Sequence, residues 1–143
     1  MKACVLDASV AVKVFVEDRY SDQAASVMRR YTPAAPGIIL SETANAFWLY
    51  LRQGVVQITD MRLAIRKLAA LVTVCPDEEL VEDALAMAAE LDHPVYDCLY
   101  MALARREGLP IISADKRMIK LASEQLKIET IPLSTIPIED DAP

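Results

Sequence analysis

The sequence is poor in the residues that carry many kinds of enzyme chemistry. Among its 143 residues there is one histidine, and the three cysteines (Cys4, Cys75 and Cys98) have no C-x-x-C spacing. A disulfide framework, a cysteine–histidine zinc site and a serine–histidine–aspartate triad are therefore poorly supported. The single histidine, His93, precedes Pro94 in an apparent loop, where we expect it to be exposed to solvent. If the protein catalyses a reaction, carboxylates must carry it.

Long apolar runs are also missing. None approaches the roughly 18–20 residues that a membrane-spanning helix needs. The first seven residues form a short apolar stretch ending in an acid, whereas a secretory signal has a longer apolar region and a cleavage site. We therefore expect a cytoplasmic protein without membrane contact. With 54% apolar and 25% charged residues, the chain is not of the disordered class, and its length fits one domain.

The charge is acidic overall, with 15 basic and 21 acidic residues. Taken alone, a net charge of −6 argues against nucleic acid as a partner. Three of the acids lie in the last five residues, and four more belong to one candidate site, so the rest of the chain is almost neutral. We predict a single domain over residues 1–135 and an acidic C-terminal tail over 136–143.

The hydrophobic pattern alternates between short strands and helices. We predict strands over residues 2–6, 37–40, 72–74, 109–113 and 127–133, with a break at 33–36. We predict helices over residues 10–16, 21–31, 41–53, 60–71, 76–91 and 96–107, and a further one beginning at 115. Such alternation with short joins indicates a mainly parallel sheet covered by helices on both faces. The segment 96–107 is apolar nearly all round, so we expect it to be central and buried.

Acidic residues occupy equivalent places in this pattern. Asp7, Glu42 and Asp115 each follow a predicted strand, and Asp97 opens the buried helix. In an open parallel sheet, ligands bind beyond the carboxyl ends of the strands. Three of the acids are therefore expected at that edge, and Asp97 reaches it if its helix packs on the sheet.

Each acid also has a purely structural interpretation. Asp7 and Asp115 are suited to cap the helices that follow them, and Glu42 is favourable in a first helical turn. Asp97 is different, because a carboxylate beside a buried helix costs free energy unless it is paired or binds a metal. Four carboxylates at one edge repel one another unless a cation neutralises them. Oxygen-only ligands favour Mg²⁺ or Mn²⁺, and phosphoryl chemistry is the reaction class that follows.

Four segments of the chain carry a resemblance to a known family. They are 5–9 (VLDAS), 41–46 (SETANA), 96–104 (YDCLYMALA) and 112–117 (ISADKR). In this order and spacing they resemble the motifs of the PIN-domain ribonucleases, closest to the VapC-like toxins of toxin–antitoxin pairs. The resemblance covers essentially the whole chain. It implies a PIN-like α/β/α sandwich with a central, mainly parallel sheet of four to five short strands.

The resemblance also implies an activity and partners. The expected protein is an Mg²⁺- or Mn²⁺-dependent endoribonuclease that hydrolyses RNA and leaves 5′-phosphate and 3′-hydroxyl ends. It forms a homodimer, and a small antitoxin protein blocks its site. The family's catalytic acids match Asp7, Glu42, Asp97 and Asp115. Ser113 stands where threonine is frequent in the family, which keeps the hydroxyl group.

Chemistry and resemblance together suggest individual roles. Asp7, Asp97 and Asp115 are the expected metal ligands, and Glu42 is expected to hold a water molecule or a second ion. Ser9 and Ser113 can bind a carboxylate or a phosphate oxygen, although local backbone capping explains them equally well. Asn45, one turn after Glu42, is placed to orient that carboxylate.

Basic residues near these motifs are candidate RNA contacts. Lys13 and Lys116 flank the site motifs and are the preferred candidates, with Arg117 beside them. Lys120 is better explained as ordinary solvated helix surface. Each of these bases also has that solvated-surface interpretation.

Two helices have more apolar surface than one buried stripe requires. Residues 46–51 are six consecutive apolar or aromatic residues, and 10–16 have a similar surplus. Either the helices are wholly internal, or together they line a groove for an antitoxin segment. We prefer the second interpretation.

Three other functions could be considered for a chain with this strand and acid pattern. A phosphatase of the haloacid dehalogenase type needs a second acid two residues after Asp7, where this chain has Ser9. A response-regulator receiver domain needs an acid pair near the first strand, which Asp7 lacks. A non-catalytic PIN-fold interaction module is the main alternative, although it leaves four clustered carboxylates without a cation.

Overall fold

The fold is built around a five-stranded sheet, seen in a computed structural model that describes residues 1–138. The strands are β1 (Lys2–Leu6), β2 (Tyr31–Pro36), β3 (Thr73–Cys75), β4 (Ile111–Ser113) and β5 (Thr130–Pro132). All neighbouring pairs are parallel, in the order β3-β2-β1-β4-β5. The carboxyl ends of all five strands therefore meet at one edge.

Within residues 1–138, seven α-helices flank this sheet and make the molecule an α/β sandwich. They are α1 (Ala8–Phe15), α2 (Ser21–Arg30), α3 (Ile38–Arg52), α4 (Ile58–Leu71), α5 (Val81–Leu91), α6 (Val95–Glu107) and α7 (Lys116–Lys120). Short helical turns cover Asp77–Glu79, Leu121–Gln125 and Leu133–Thr135. The predicted α/β class with a parallel sheet is confirmed. Within the described residues, no helix is both long and apolar enough to cross a membrane.

The central position of β1 and α6 follows from their apolar composition. Cys4, Val5 and Leu6 of β1 are fully buried, as expected for a strand covered on both faces. In α6 every residue from Cys98 to Ala104 is buried, because the helix packs against α5 on one side and against β1, β2 and β4 on the other. The predicted central, buried helix is confirmed.

The second strand is where the sequence prediction is wrong. The strand β2 covers Tyr31–Pro36, the segment expected to be a break, and residues 38–40 form the first turn of α3. Prolines are compatible with an extended backbone, and a short apolar run does not by itself distinguish strand from helix. A distant residue supports the helix start, since Asp77 Oδ1 accepts a hydrogen bond from the Ile38 N–H at 3.2 Å.

The C-terminal segment packs on the domain at least as far as residue 137. Ile136 is buried, and the Ser26 hydroxyl donates to the Pro137 carbonyl at 2.8 Å. Residues 139–143 lie outside the described residues, so the acidic tail and the domain boundary at 135 stay predictions.

Gly108 ends α6 in the left-handed conformation (φ +66°), as its position after the last helical turn predicts. An added Cβ would meet no atom within 4 Å, so a substitution there is opposed by the backbone conformation alone. We expect Gly108→Ala to lower the free energy of unfolding by about 1–2 kcal/mol. Gly108→Asn should cost less, because asparagine tolerates this conformation. Urea denaturation measures both, and equal stability of the alanine variant and wild type would contradict the prediction.

Candidate active site

The four acids lie around the carboxyl edge of the sheet. Asp7 directly follows β1, Asp115 lies two residues after β4, and Asp97 is in the first turn of α6. Glu42 does not follow a strand directly, as the sequence suggested; it lies in the second turn of α3, which begins two residues after β2. The acids are close enough to influence one another, since Asp115 raises the pKa of Asp7 and Asp97 raises the pKa of Glu42.

Asp7 is the most deeply buried of these acids, with 4% of its surface exposed. Its Oδ1 accepts a hydrogen bond from the Ser9 hydroxyl at 2.6 Å, and its Oδ2 accepts one from the Ser113 hydroxyl at 2.7 Å. Burial raises the pKa of Asp7 to about 6; the two hydroxyls oppose this shift, and the nearby Asp115 adds to it. The carboxylate is thus held at both oxygens in a setting that disfavours its charge.

The two serines also bind the backbone after β4. The Ser9 hydroxyl accepts from the Ala114 N–H at 3.0 Å, and the Ser113 hydroxyl accepts from the Asp115 N–H at 2.9 Å. Ser113 therefore combines the two roles that the sequence left open, binding a carboxylate and capping the local backbone. Ser9 binds the carboxylate, but its backbone contact is with a distant segment and is not local capping. Together they fix Asp7 relative to the segment that carries Asp115.

Asp115 acts as a helix cap. Its Oδ1 accepts from the backbone N–H groups of Arg117, at 2.9 Å, and of Met118, at 3.4 Å, at the start of α7. The structural interpretation of this residue is therefore correct. Capping of α7 uses only one oxygen of the Asp115 carboxylate, because Oδ2 has no hydrogen bond within residues 1–138.

Glu42 is held by a residue that the sequence analysis did not select. The Tyr100 hydroxyl donates to Glu42 Oε1 at 2.5 Å, and Tyr100 itself is 1% exposed. Burial is the main cause of a raised Glu42 pKa, and the hydrogen bond from Tyr100 opposes it. Asn45 lies on the same side of α3, but in the described structure it makes no hydrogen bond to Glu42.

Asp97 is paired with the histidine that was expected to be exposed. That expectation is wrong, because His93 is only 6% exposed and its Nε2 lies 2.7 Å from Asp97 Oδ2. An ionised carboxylate only accepts hydrogen bonds, so the ring nitrogen donates. The four-residue spacing between His93 and Asp97 is the sequence signal that could have identified this pair.

A groove opens beside Glu42. Its volume is about 340 Å³, and it is lined by Ile38, Ser41, Glu42, Asn45 and Tyr96. Tyr96 is 62% exposed, so one aromatic face adjoins the acids. The candidate basic residues lie on the opposite flank, where Lys13 Nζ donates to the Ser9 carbonyl at 3.3 Å and Lys116 lines a small cavity with Ser113.

The four acids supply oxygen ligands of the kind that a divalent cation binds. Three of the acids (Glu42, Asp97 and Asp115) each have one carboxylate oxygen bound by the protein and one without a hydrogen bond in the described structure. No three acidic, histidine or cysteine side chains in residues 1–138 lie close enough together to bind one ion as they stand. Carboxylate oxygens without a partner nevertheless suit a hard cation, which needs oxygen ligands. Such an ion also relieves the like-charge repulsion that adds to the pKa values of Asp7 and Glu42, which burial raises.

The fold and site together define an α/β sandwich whose carboxylates gather at the carboxyl edge of a parallel sheet. The family model described as the PIN domain matches residues 4–124, and the chain belongs to that family. The sequence is 26% identical over 118 residues to Ribonuclease VapC3 of Pyrobaculum aerophilum. That match covers 80% of this chain and 90% of the relative.

Solved structures agree with this fold. PAE2754 from Pyrobaculum aerophilum superposes with a TM-score of 0.71 at 20% identity, covering 94% of this chain and 85% of that one. A toxin–antitoxin complex from Klebsiella pneumoniae gives 0.60 at 15% identity, with coverage of 81% and 89%. VapBC2 from Rickettsia felis, bound to a DNA fragment from its promoter, gives 0.60 at 12% identity, with coverage of 91% and 98%. At these identities the similarity shows the fold.

The burial of Asp7 predicts how the chain responds to a cation. We expect Mn²⁺ to raise the melting temperature of the wild type, because an ion that binds only the folded state stabilises it. Asp7→Asn should lose most of this shift. In EDTA the variant should be at least as stable as the wild type, since it no longer buries a charge. Thermal denaturation with and without the ion measures both effects, and an equal shift in the two proteins would contradict the assignment.

Proposed function

We propose that this protein is a metal-dependent endoribonuclease and the toxin of a toxin–antitoxin pair. The observation that carries the proposal is the gathering of four carboxylates, three of them with a free oxygen, at the carboxyl edge of a PIN-domain sheet. The similarity to the relative Ribonuclease VapC3 and to the toxin–antitoxin structures supports it.

In this proposal Asp7, Asp97 and Asp115 bind a divalent cation, Mg²⁺ or Mn²⁺. When bound, that ion activates a water molecule and offsets the charge that develops on the phosphate. Glu42, fixed through Oε1 by Tyr100, uses its other oxygen to orient the water or to bind a second ion. Ser9 and Ser113 hold Asp7, so that the site keeps its shape as RNA enters. The products carry 5′-phosphate and 3′-hydroxyl ends.

The groove beside Glu42 suits a single RNA strand. The exposed ring of Tyr96 offers a face on which a base can stack, and Ser41 and Asn45 supply polar groups along the same wall. Lys13 and Lys116, on the other flank, are placed to contact phosphates.

The apolar surface of α3 supports a protein partner. Phe47 packs inward with Val16 and Met61, but Trp48 and Leu49 are 50% and 45% exposed, so the helix is not wholly internal. An apolar cleft runs between α3 and α4, lined by Ala44, Phe47, Leu51, Ile58, Met61, Arg62 and Ile65. The sequence suggested that residues 10–16 would line this groove with 46–51, but α1 packs on α3 and contributes no residue to the cleft. An apolar segment of a small antitoxin is the proposed occupant. A homodimer and a cytoplasmic location complete the proposal.

The main alternative is a PIN-fold module that binds a partner without catalysis. It explains the exposed residues of α3 equally well. It does not explain why Asp7 keeps an ionisable group at 4% exposure, with its pKa raised by burial. RNA cleavage decides between the two functions.

Cleavage of labelled total RNA tests the proposed activity directly. We expect wild-type protein, freed of antitoxin, to produce defined fragments with Mn²⁺ and none with EDTA. Asp7→Asn should lower the rate at least a hundredfold, because the carboxylate that binds the ion is gone. An Asp22→Asn variant, changed on exposed helix surface, is the matched control and should cleave normally. If wild type binds Mn²⁺ but cuts no RNA under any condition, the nuclease proposal fails.

Salt dependence tests the basic flank. A lysine that contacts phosphate adds about 0.7 to the magnitude of the slope of log affinity against log salt for a single strand. Using Asp7→Asn as a background that binds without cutting, we expect Lys116→Gln to weaken RNA binding and to flatten this slope. Lys120→Gln, one turn along α7, is the matched control and should leave the slope unchanged. An unaltered slope in Lys116→Gln would remove Lys116 from the interface.

A further inference from the structure

We propose that His93 is a positioning residue for Asp97: its Nε2–H fixes Oδ2 so that Oδ1 faces the cation. The inference rests on the proposed function only in assuming that Asp97 binds a cation. It begins from the 2.7 Å contact between His93 Nε2 and Asp97 Oδ2. The His93 side chain is 3% exposed and that of Asp97 is 29% exposed, so the pair points from the interior toward the open edge.

The histidine is itself rigidly placed. Its backbone N–H donates to the Ala88 carbonyl at 3.1 Å, which ties it to the last turn of α5. Asp92, immediately before it, adopts the left-handed conformation (φ 51°) that ends that helix, and Pro94 after it caps α6. An imidazole anchored in this way has little freedom, so it limits the carboxylate to a narrow range of orientations.

The same arrangement recurs at the other acids. Tyr100 donates to Glu42, two backbone N–H groups donate to Asp115, and two serine hydroxyls donate to Asp7. Asp97 would be the one acid of the four without a protein donor if His93 were absent. Hydrogen-bond partners of metal ligands orient those ligands, and their loss commonly costs about 10–100-fold in metal affinity or activity.

A purely structural role is the competing explanation, because the pair also joins the α5–α6 turn to the first turn of α6. The two roles differ in what the side chain must supply. A structural role needs a well-packed group of similar size, whereas positioning needs an N–H at the distance of Nε2. Glutamine carries its amide close to that distance, and asparagine carries the same amide one methylene shorter.

The experiment measures Mn²⁺ affinity by calorimetry on folded, full-length protein, with thermal denaturation of each variant. We expect His93→Leu and His93→Asn to weaken Mn²⁺ binding by about 10-fold or more and His93→Gln to stay within about threefold of wild type. Asp92→Ala is the matched control. It strains the same turn without touching Asp97, so it should lower the melting temperature but leave Mn²⁺ affinity unchanged.

Several results would overturn the inference. Unchanged affinity in folded His93→Leu or His93→Asn would do so, as would a loss in His93→Gln equal to that in His93→Asn. A comparable loss in Asp92→Ala would assign the effect to stability. If His93→Leu does not fold, the Gln and Asn pair decides alone. Wild type that binds Mn²⁺ but cuts no RNA refutes the nuclease proposal and leaves this inference intact, whereas wild type that binds no Mn²⁺ refutes the inference.

Discussion

The buried carboxylate of Asp7 is the constraint on which the site depends. A charge at 4% exposure is costly, and hydrogen bonds from serine hydroxyls to both of its oxygens offset part of that cost. Those serines come from opposite ends of the chain, Ser9 in α1 and Ser113 in β4, and each also accepts a backbone N–H from the loop after β4. These hydrogen bonds therefore fix the position of Asp7, at the end of β1, relative to the loop after β4 that carries Asp115. A shift of β1 relative to β4 would therefore change the distance between Asp7 and Asp115.

Much of this arrangement could be predicted from the sequence, because it depends on local pattern. The buried parts of strand β1 and helix α6 are continuous apolar runs, and three of the predicted strands were each followed by an acid expected at one edge. The second strand could not be predicted in the same way. Residues 38–40 are an apolar run that suits a strand or a helix equally well. In the folded chain their helical state is supported by Asp77, which lies 39 residues further on and binds the Ile38 N–H. Such a tertiary contact leaves no mark in the local sequence.

The residues that hold the acids were the least predictable part of the site. The sequence suggested Asn45 as the partner of Glu42 because both lie on one helix face, but the donor is Tyr100 from a different helix. Which helices become neighbours is a property of the sheet order, and single-helix spacing contains no information about it. His93 was mistaken for an exposed loop residue because Pro94 follows it. The helix that starts at Val95 instead brings Asp97 back next to the histidine, which is buried while Asp97 stays partly exposed.

In each of the three less buried carboxylates, the two oxygens have different surroundings. In Glu42, Asp97 and Asp115 one oxygen is held by the protein and the other has no partner in the described structure. Holding one oxygen limits the rotation of the group, so the free oxygens are oriented before any ion arrives. Burial is the main cause of the raised pKa values of Asp7 and Glu42, and nearby carboxylates add to it: Asp115 at Asp7 and Asp97 at Glu42. The folded protein carries this cost without a cation. A divalent ion would offset that cost without rearranging the sheet. In the proposed site the donors around the acids therefore influence cation affinity, because they orient the carboxylates that bind the ion.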